Sequence, residues 1–103
     1  MYKYIIALLL LVAVSGPAMA DITFTGGDGS SFDKAIIING AKGEDDGVAS
    51  EYQWIRHNKA GYRPGGQALF NKNGHAYDVL SIKLGKGDKQ DIYFDITQYF
   101  GKY

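Results

Sequence analysis

The stretch NGHAYDVLSIKLGKGDKQDIYFDIT, residues 73–97, decides the predicted fold. It begins with Asn-Gly, the strongest short-range signal for a two-residue β-hairpin turn. Apolar and polar residues then alternate through Tyr77–Leu84 and again through Gln90–Thr97. The glycine-rich turn Gly85–Lys89 separates these two segments. Alternation with a period of two is typical of strands that have one buried face. We therefore predict two antiparallel strands here and a third at Gln67–Asn71, which together form a β-meander.

The register of the last two strands is predicted by matching residue types across their turn. Placing Ile82 opposite Ile92 also puts Lys83 opposite Asp91, which is an opposite-charge pair. The same register gives the sheet one apolar face for a helix to cover. Its predicted members are Leu80, Ile82, Leu84, Ile92, Phe94 and Ile96.

One helix is predicted before these strands, between Gly47 and about Lys59, because apolar residues recur there at helical spacing. Its predicted buried stripe consists of Val48, Tyr52, Ile55 and Lys59, with Ala49 beside it. Asp45 or Asp46 is expected to cap the first amides, since a carboxylate there accepts hydrogen bonds and complements the helix dipole.

Two shorter strand candidates precede the helix, at Asp21–Phe24 and at Ala35–Asn39 with its run of three isoleucines. The sequence therefore predicts an α+β fold in two layers. One helix packs on a three- to four-stranded, mainly antiparallel sheet in the order β-α-β-β-β, and the first candidate is an optional extra strand. Residues 21–103 are expected to form one small domain.

Residues 1–20 have the pattern of a secretory signal peptide. Lys3 is followed by the apolar run Ile5–Val14, and Ala18-Met19-Ala20 has the small residues that signal peptidase requires. The run is too short for a membrane anchor, which needs about 20 apolar residues. We predict cleavage after Ala20, export to the periplasm or the medium, and no membrane span after cleavage.

The charge balance argues against nucleic acid as a partner. Of the 11 Lys and Arg residues, Lys3 lies in the predicted signal peptide, so ten basic residues face 11 acidic ones in residues 21–103. A nucleic-acid-binding domain usually has a strong basic excess. The chain has no cysteine, so packing rather than disulfide bonds must stabilise the fold.

No pattern in the sequence predicts a catalytic, metal or cofactor site. His57 and His75 are the only histidines, whereas a zinc site needs three or four converging ligands. None of the serines after residue 20 lies in a G-x-S-x-G motif. A non-catalytic binding or accessory module is therefore the leading interpretation. The alternative is a small metal-dependent or hydrolytic enzyme that uses the two histidines and nearby acids.

The sheet face that a single helix cannot cover is the candidate contact surface for a protein partner in the cell envelope. If Asn73-Gly74 forms a two-residue turn, Phe70 lies opposite Tyr77 on this face. The predicted contact face consists of Phe70, Tyr77, Val79, Lys83, Tyr93 and Asp95. Two structural alternatives remain open: the aromatic pairs only stabilise the sheet, or the N-terminal segment folds over this face. Beside the binding module and the enzyme, a third possible function is that of a structural or envelope-stress protein whose only role is self-association.

Several stretches together resemble one group of proteins: GDGSSFDKAI at 27–36, GVASEY at 47–52 with Trp54, YFDI at 93–96 and YFGK at 99–102. In this combination the chain resembles small exported bacterial proteins of uncharacterised function. The resemblance covers most of residues 21–103. It implies a Gram-negative bacterial protein that is periplasmic or secreted, and it implies no activity, ligand or catalytic residue.

Overall fold

The computed structural model of the protein describes residues 21–102, and the predicted signal peptide lies outside the described residues. Within these residues, one helix and five strands make up an α+β fold, the class that the sequence predicts. In chain order they are β1 (Thr23–Gly26), β2 (Ile36–Asn39), α1 (Glu44–Asn58), β3 (Arg63–Lys72), β4 (His75–Leu84) and β5 (Asp88–Asp95). The strands form one sheet in the order β1-β2-β5-β4-β3.

The sheet differs in detail from the predicted one. It has five strands rather than three or four, because β1 and β2 form an antiparallel hairpin that pairs Thr23 with Asn39. It is also mixed, since β2 lies parallel to β5 with Ile36 beside Phe94. The chain leaves β2 through α1 and returns at the far side of the sheet. This crossover makes β3 one edge strand and β1 the other.

The Asn-Gly turn forms as predicted. Asn73 and Gly74 both have positive φ, 53° and 80°, as a type I′ turn requires. Lys72 therefore pairs with His75, and Phe70 pairs with Tyr77. The pairing of β3 with β4 is regular back to residue 67, and a bulge then interrupts it up to residue 64.

The predicted register of β4 and β5 is wrong by two residues. Ser81 pairs with Asp91, and Lys83 pairs with Lys89 rather than with Asp91. The turn contains three residues instead of the predicted five, and the Gly87 N–H donates to the Leu84 carbonyl at 3.1 Å. Because a shift of two keeps every side chain on its face, the division into an apolar and a polar face is unaffected.

The helix begins three residues earlier than predicted and buries a different stripe. Its N-cap is Gly43, which makes no side-chain cap, so the acids at 45 and 46 lie inside the first turn instead of capping it. Val48, which was predicted to lie in the buried stripe, is exposed, and so is Ala49 beside it. The buried stripe is instead Gly47, Ser50, Glu51 and Ile55. Two of its four members are therefore polar.

The core lies between α1 and one face of the sheet. Half-buried Trp54 of α1 packs edge-on against Phe94 of β5, with ring centroids 5.9 Å apart. The buried apolar cluster consists of Ile36, Ile38, Ile55, Ala76, Leu80, Ile82, Ile92, Phe94, Ile96 and Tyr99. Within residues 21–102, no helix is both long and apolar enough to cross a membrane.

Candidate functional site

The sheet face opposite the helix carries an aromatic cluster centred on Phe32. This residue lies in the loop between β1 and β2, and its ring meets three aromatic rings of the sheet edge-on. The centroid distances are 5.4 Å to Phe70, 5.0 Å to Tyr77 and 4.9 Å to Tyr93. The Nζ atom of Lys72 lies 5.0 Å from the Phe32 centroid, within cation–π range. The N-terminal segment thus folds over this face, as one of the sequence alternatives proposed.

The loop between β1 and β2 covers part of the predicted contact face and leaves the rest accessible. Val79 and Asp95 are buried, and Tyr77 and Tyr93 are half-buried with Phe32 packed against their rings. Lys83 is exposed. Phe70 also remains accessible, with 43% of its surface exposed. The two accessible members of the face lie on β3 and at the far end of β4.

His75 and Asp95 form a hydrogen-bonded pair beside the aromatic cluster. The Nδ1 atom of His75 lies 2.9 Å from Oδ2 of Asp95. The other oxygen of Asp95 accepts hydrogen bonds from the hydroxyl and the backbone N–H of Thr97, at 2.6 and 3.0 Å. The His75 ring also stacks on Tyr77, at 6.1 Å between centroids. A base held by a buried acid resembles part of a hydrolytic site, but no hydroxyl among residues 21–102 hydrogen bonds to its Nε2.

The two histidines do not form one site. His75 lies on the sheet face opposite the helix, because its neighbour Ala76 is in the core. His57 is on α1, which packs on the other face, and there it lines a shallow pocket with Phe24 and Trp54. Among residues 21–102, no three His, Asp or Glu side chains are placed to hold a metal ion.

A buried cluster of polar side chains joins the helix to the sheet. Glu51 and Asp78 are only 1% and 2% exposed, and Tyr99 is fully buried. The Tyr99 hydroxyl donates to Oε2 of Glu51. The side chain of Gln67 donates to Oδ1 of Asp78 at 2.9 Å. Since Glu51 belongs to α1 and Asp78 to β4, this cluster connects the two layers of the fold.

The carboxyl group of Glu51 lies buried beside that of Asp78. Burial first, and the adjacent Asp78 second, raise the pKa of Glu51 to about 9, while the Tyr99 hydrogen bond opposes the rise. Glu51 is therefore protonated at neutral pH and can donate to Asp78. Its Oε1 atom makes no hydrogen bond to any group within residues 21–102. A proton on this oxygen satisfies a group that would otherwise be buried without a hydrogen bond.

This cluster was not predicted from the sequence, because the residues assigned to the buried stripe are mostly apolar and do not include Glu51. One signal was present. Gly47, Ser50 and Glu51 lie at helical spacing, and a glycine on a helix face indicates close approach of another group. That group is Tyr99, since a Cβ atom at residue 47 would lie 2.3 Å from its ring.

The edge strand β3 is the most open part of the described structure. All ten of its residues are exposed, and within residues 21–102 β4 is its only neighbour in the sheet. Leu69 pairs with Asp78, so its side chain is on the helix side of the sheet, yet 57% of its surface is exposed. The helix therefore does not cover β3. Exposed strand edges are templates for pairing with another chain, and proteins usually protect them.

Part of this edge is protected and part is free. Pro64 and the bulge disrupt its first half. In the regular half, Lys72 and His75 close a type I′ turn and exchange both backbone hydrogen bonds. In an antiparallel ladder, hydrogen-bonded pairs alternate with pairs that make no backbone hydrogen bonds to each other. Asn71, Leu69 and Gln67 belong to the second kind, so their amides point away from β4. Three successive outward amide positions are thus available to an added strand.

The described structure therefore holds two features that the sequence analysis did not single out, the buried acid pair and the free edge of β3. Only the second is accessible to a macromolecule.

Comparisons of the chain with protein-family models, with curated proteins and with solved structures found no match.

Proposed function

We propose that this protein is an exported, non-catalytic binding module that engages a protein partner in the cell envelope through β3. The partner supplies one extended segment, which adds to the sheet as a sixth strand. The observation that carries the proposal is the exposure of all ten β3 residues beside a single neighbouring strand. Strand addition uses the free backbone groups of such an edge for affinity. The signal-peptide pattern of residues 1–20 supports the exported location.

The side chains of β3 indicate the chemistry of that segment. Leu69 and Phe70 give the edge an apolar centre, with 57% and 43% of their surfaces exposed. Arg63 and Lys72 lie at the two ends, and β3 contains no acidic residue. The proposed segment therefore has an apolar centre and acidic residues on both sides. The regular half of β3, residues 67–72, spans about 20 Å, which sets the length of the contact.

A proline at residue 69 tests the proposal. The Leu69 amide points away from β4, so Leu69→Pro removes an outward donor without removing a bond between β3 and β4. A library of displayed random peptides is selected on the wild-type protein. We expect the selected library to be enriched in peptides with an apolar centre and acidic flanks. Bound peptides should protect the backbone amides of Gln67, Leu69 and Asn71 from hydrogen exchange. Leu69→Pro is expected to lose these peptides while its melting temperature stays near that of the wild type.

The matched control is Leu69→Asn, which changes the same side chain but keeps the N–H. It should weaken binding by less than the proline variant, because the backbone bonds remain. Peptides that bind both variants as well as they bind the wild type would refute strand addition. So would protection of amides elsewhere in the sheet with none in β3.

A further inference from the structure

Three basic side chains lie in a row across the sheet, on the face opposite the helix. Arg63 of β3 pairs with Lys83 of β4, and Lys83 pairs with Lys89 of β5. Directly opposed residues share a face, and Ile82 beside Lys83 belongs to the core on the other side. All three basic side chains are exposed. Neighbouring strands are about 4.8 Å apart, so the row places three positive charges within about 10 Å.

The basic row has no acidic partner in the described part of the chain. Within residues 21–102, no carboxylate oxygen lies within 4.0 Å of the three basic groups. The nearest acid in the register on the same face is Asp91, opposite Ser81, and it accepts a hydrogen bond from the Ser81 hydroxyl at 2.6 Å. Like charges directly opposite each other destabilise a sheet. The row therefore has an electrostatic cost that no ion pair within residues 21–102 offsets.

Two features orient the row toward an external ligand. A guanidinium nitrogen of Arg63 donates to the Gly85 carbonyl at 3.1 Å, which holds this side chain beside the turn between β4 and β5. Lys86 in the same turn is exposed and adds a fourth positive charge. The charge is local, because ten basic residues face 11 acidic ones in residues 21–103.

We propose that Arg63, Lys83 and Lys89 form a binding site for a ligand that carries adjacent phosphate groups. A row of cations on neighbouring strands matches a short chain of anionic groups better than a single small anion. The same chemistry is present in free oligophosphates and in the clustered headgroups of an anionic lipid surface. This site shares Arg63 with the strand-addition surface of β3, but its two lysines belong to β4 and β5.

The test compares two variants with the same loss of charge. Lys83→Gln/Lys89→Gln removes two members of the row, and Lys34→Gln/Lys42→Gln removes two exposed lysines from loops elsewhere. Binding of inorganic triphosphate is measured by titration calorimetry at low salt. Binding to phosphatidylglycerol vesicles is measured by co-sedimentation, with phosphatidylcholine vesicles as the neutral reference. Melting temperatures verify that both variants fold.

We expect the wild type to bind at least one anionic probe and to release it as salt is added, because salt screens exposed charges. The row variant should bind about tenfold more weakly, and the loop variant should stay within about twofold of the wild type. Binding of triphosphate alone assigns a free phosphate ligand, whereas vesicle binding that triphosphate displaces assigns a lipid headgroup. The proposal is overturned if the wild type binds neither probe, or if both variants weaken binding equally. The row variant keeps Leu69, so either proposal can fail without the other.

Discussion

The change Glu51→Gln tests whether the buried acid pair shares one proton. Glutamine has nearly the same shape as a protonated glutamate. Its side-chain oxygen can accept the Tyr99 hydroxyl, and its NH₂ group can donate to Asp78 in place of the Glu51 proton. The variant therefore keeps the hydrogen bonds of the cluster but cannot ionise. Any difference between the two proteins as pH changes is due to the ionisation of Glu51.

The magnitude follows from the raised pKa of Glu51. Burial lifts this pKa from 4.5 to about 9, so between these values the folded protein keeps a proton that the unfolded chain releases. The stability from this group is complete below pH 4.5 and is lost as pH rises through 9. The free energy of unfolding falls by about 1.4 kcal/mol for each pH unit in this window. From pH 6 to pH 8 the wild type should lose roughly 3 kcal/mol from this group, and the variant should not.

The assay is thermal and urea unfolding between pH 5 and pH 8, followed by the fluorescence of Trp54, which packs against Phe94. A loss of this size lowers the melting temperature of a domain this small by on the order of 10 to 20 °C. Asp45→Asn is the matched control, because it removes an exposed acid from the first turn of the same helix. Parallel pH profiles for wild type and Glu51→Gln would refute the reasoning, as would wild-type stability that rises with pH.

Two further changes test the packing and the register. Gly47→Ala places a Cβ atom 2.3 Å from the Tyr99 ring and should cost roughly 1 to 3 kcal/mol of unfolding free energy, although alanine is the better helix former. A neutral result in urea unfolding would contradict this contact. Lys83→Glu puts a carboxylate between Arg63 and Lys89 and should raise the unfolding free energy by about 0.4 to 2 kcal/mol at low salt. A loss of stability, or a gain that persists in high salt, would argue against the observed register.

The sheet could be predicted from the sequence where local chemistry determines the geometry. Asn73-Gly74 allows only a narrow set of turns, so the pairing of Phe70 with Tyr77 followed from it. The turn between β4 and β5 contains Gly85 and Gly87, and several loop lengths suit such a sequence. Matching Lys83 to Asp91 therefore selected the wrong register. Charge matching failed because the actual pairing places two lysines opposite each other.

The helix shows a different limit of sequence patterns. Its position was predicted to within three residues at the start and one at the end. Its buried stripe was not predicted correctly, because the prediction included Val48 in the stripe and did not include Glu51. A carboxyl group can be buried when a partner across the core shares its proton. Asp78 and Tyr99 are distant in sequence, so only the tertiary structure identifies them as partners.

A loop covers the centre of the predicted contact face, and the position of this loop could not be predicted from the sequence. Phe32 lies in a glycine-rich segment without alternation, and no periodic pattern predicts where such a loop goes. Its aromatic side chain was the one indication that the segment packs on the sheet. The prediction that Phe70, Tyr77 and Tyr93 lie on one face allowed for this outcome as an alternative. Once Phe32 covers the centre of the face, accessible surface remains toward the edge strand.

The position of the proposed surface follows from the dimensions of the two layers. A helix is about 10 Å wide, whereas five strands at about 4.8 Å spacing make a sheet nearly 20 Å across. Helix α1 lies over the middle of the sheet, where Glu51 reaches Asp78 of β4 and Trp54 reaches Phe94 of β5. It therefore leaves Leu69 of β3 uncovered. One helix on five strands exposes an edge, and the crossover through α1 makes β3 that edge.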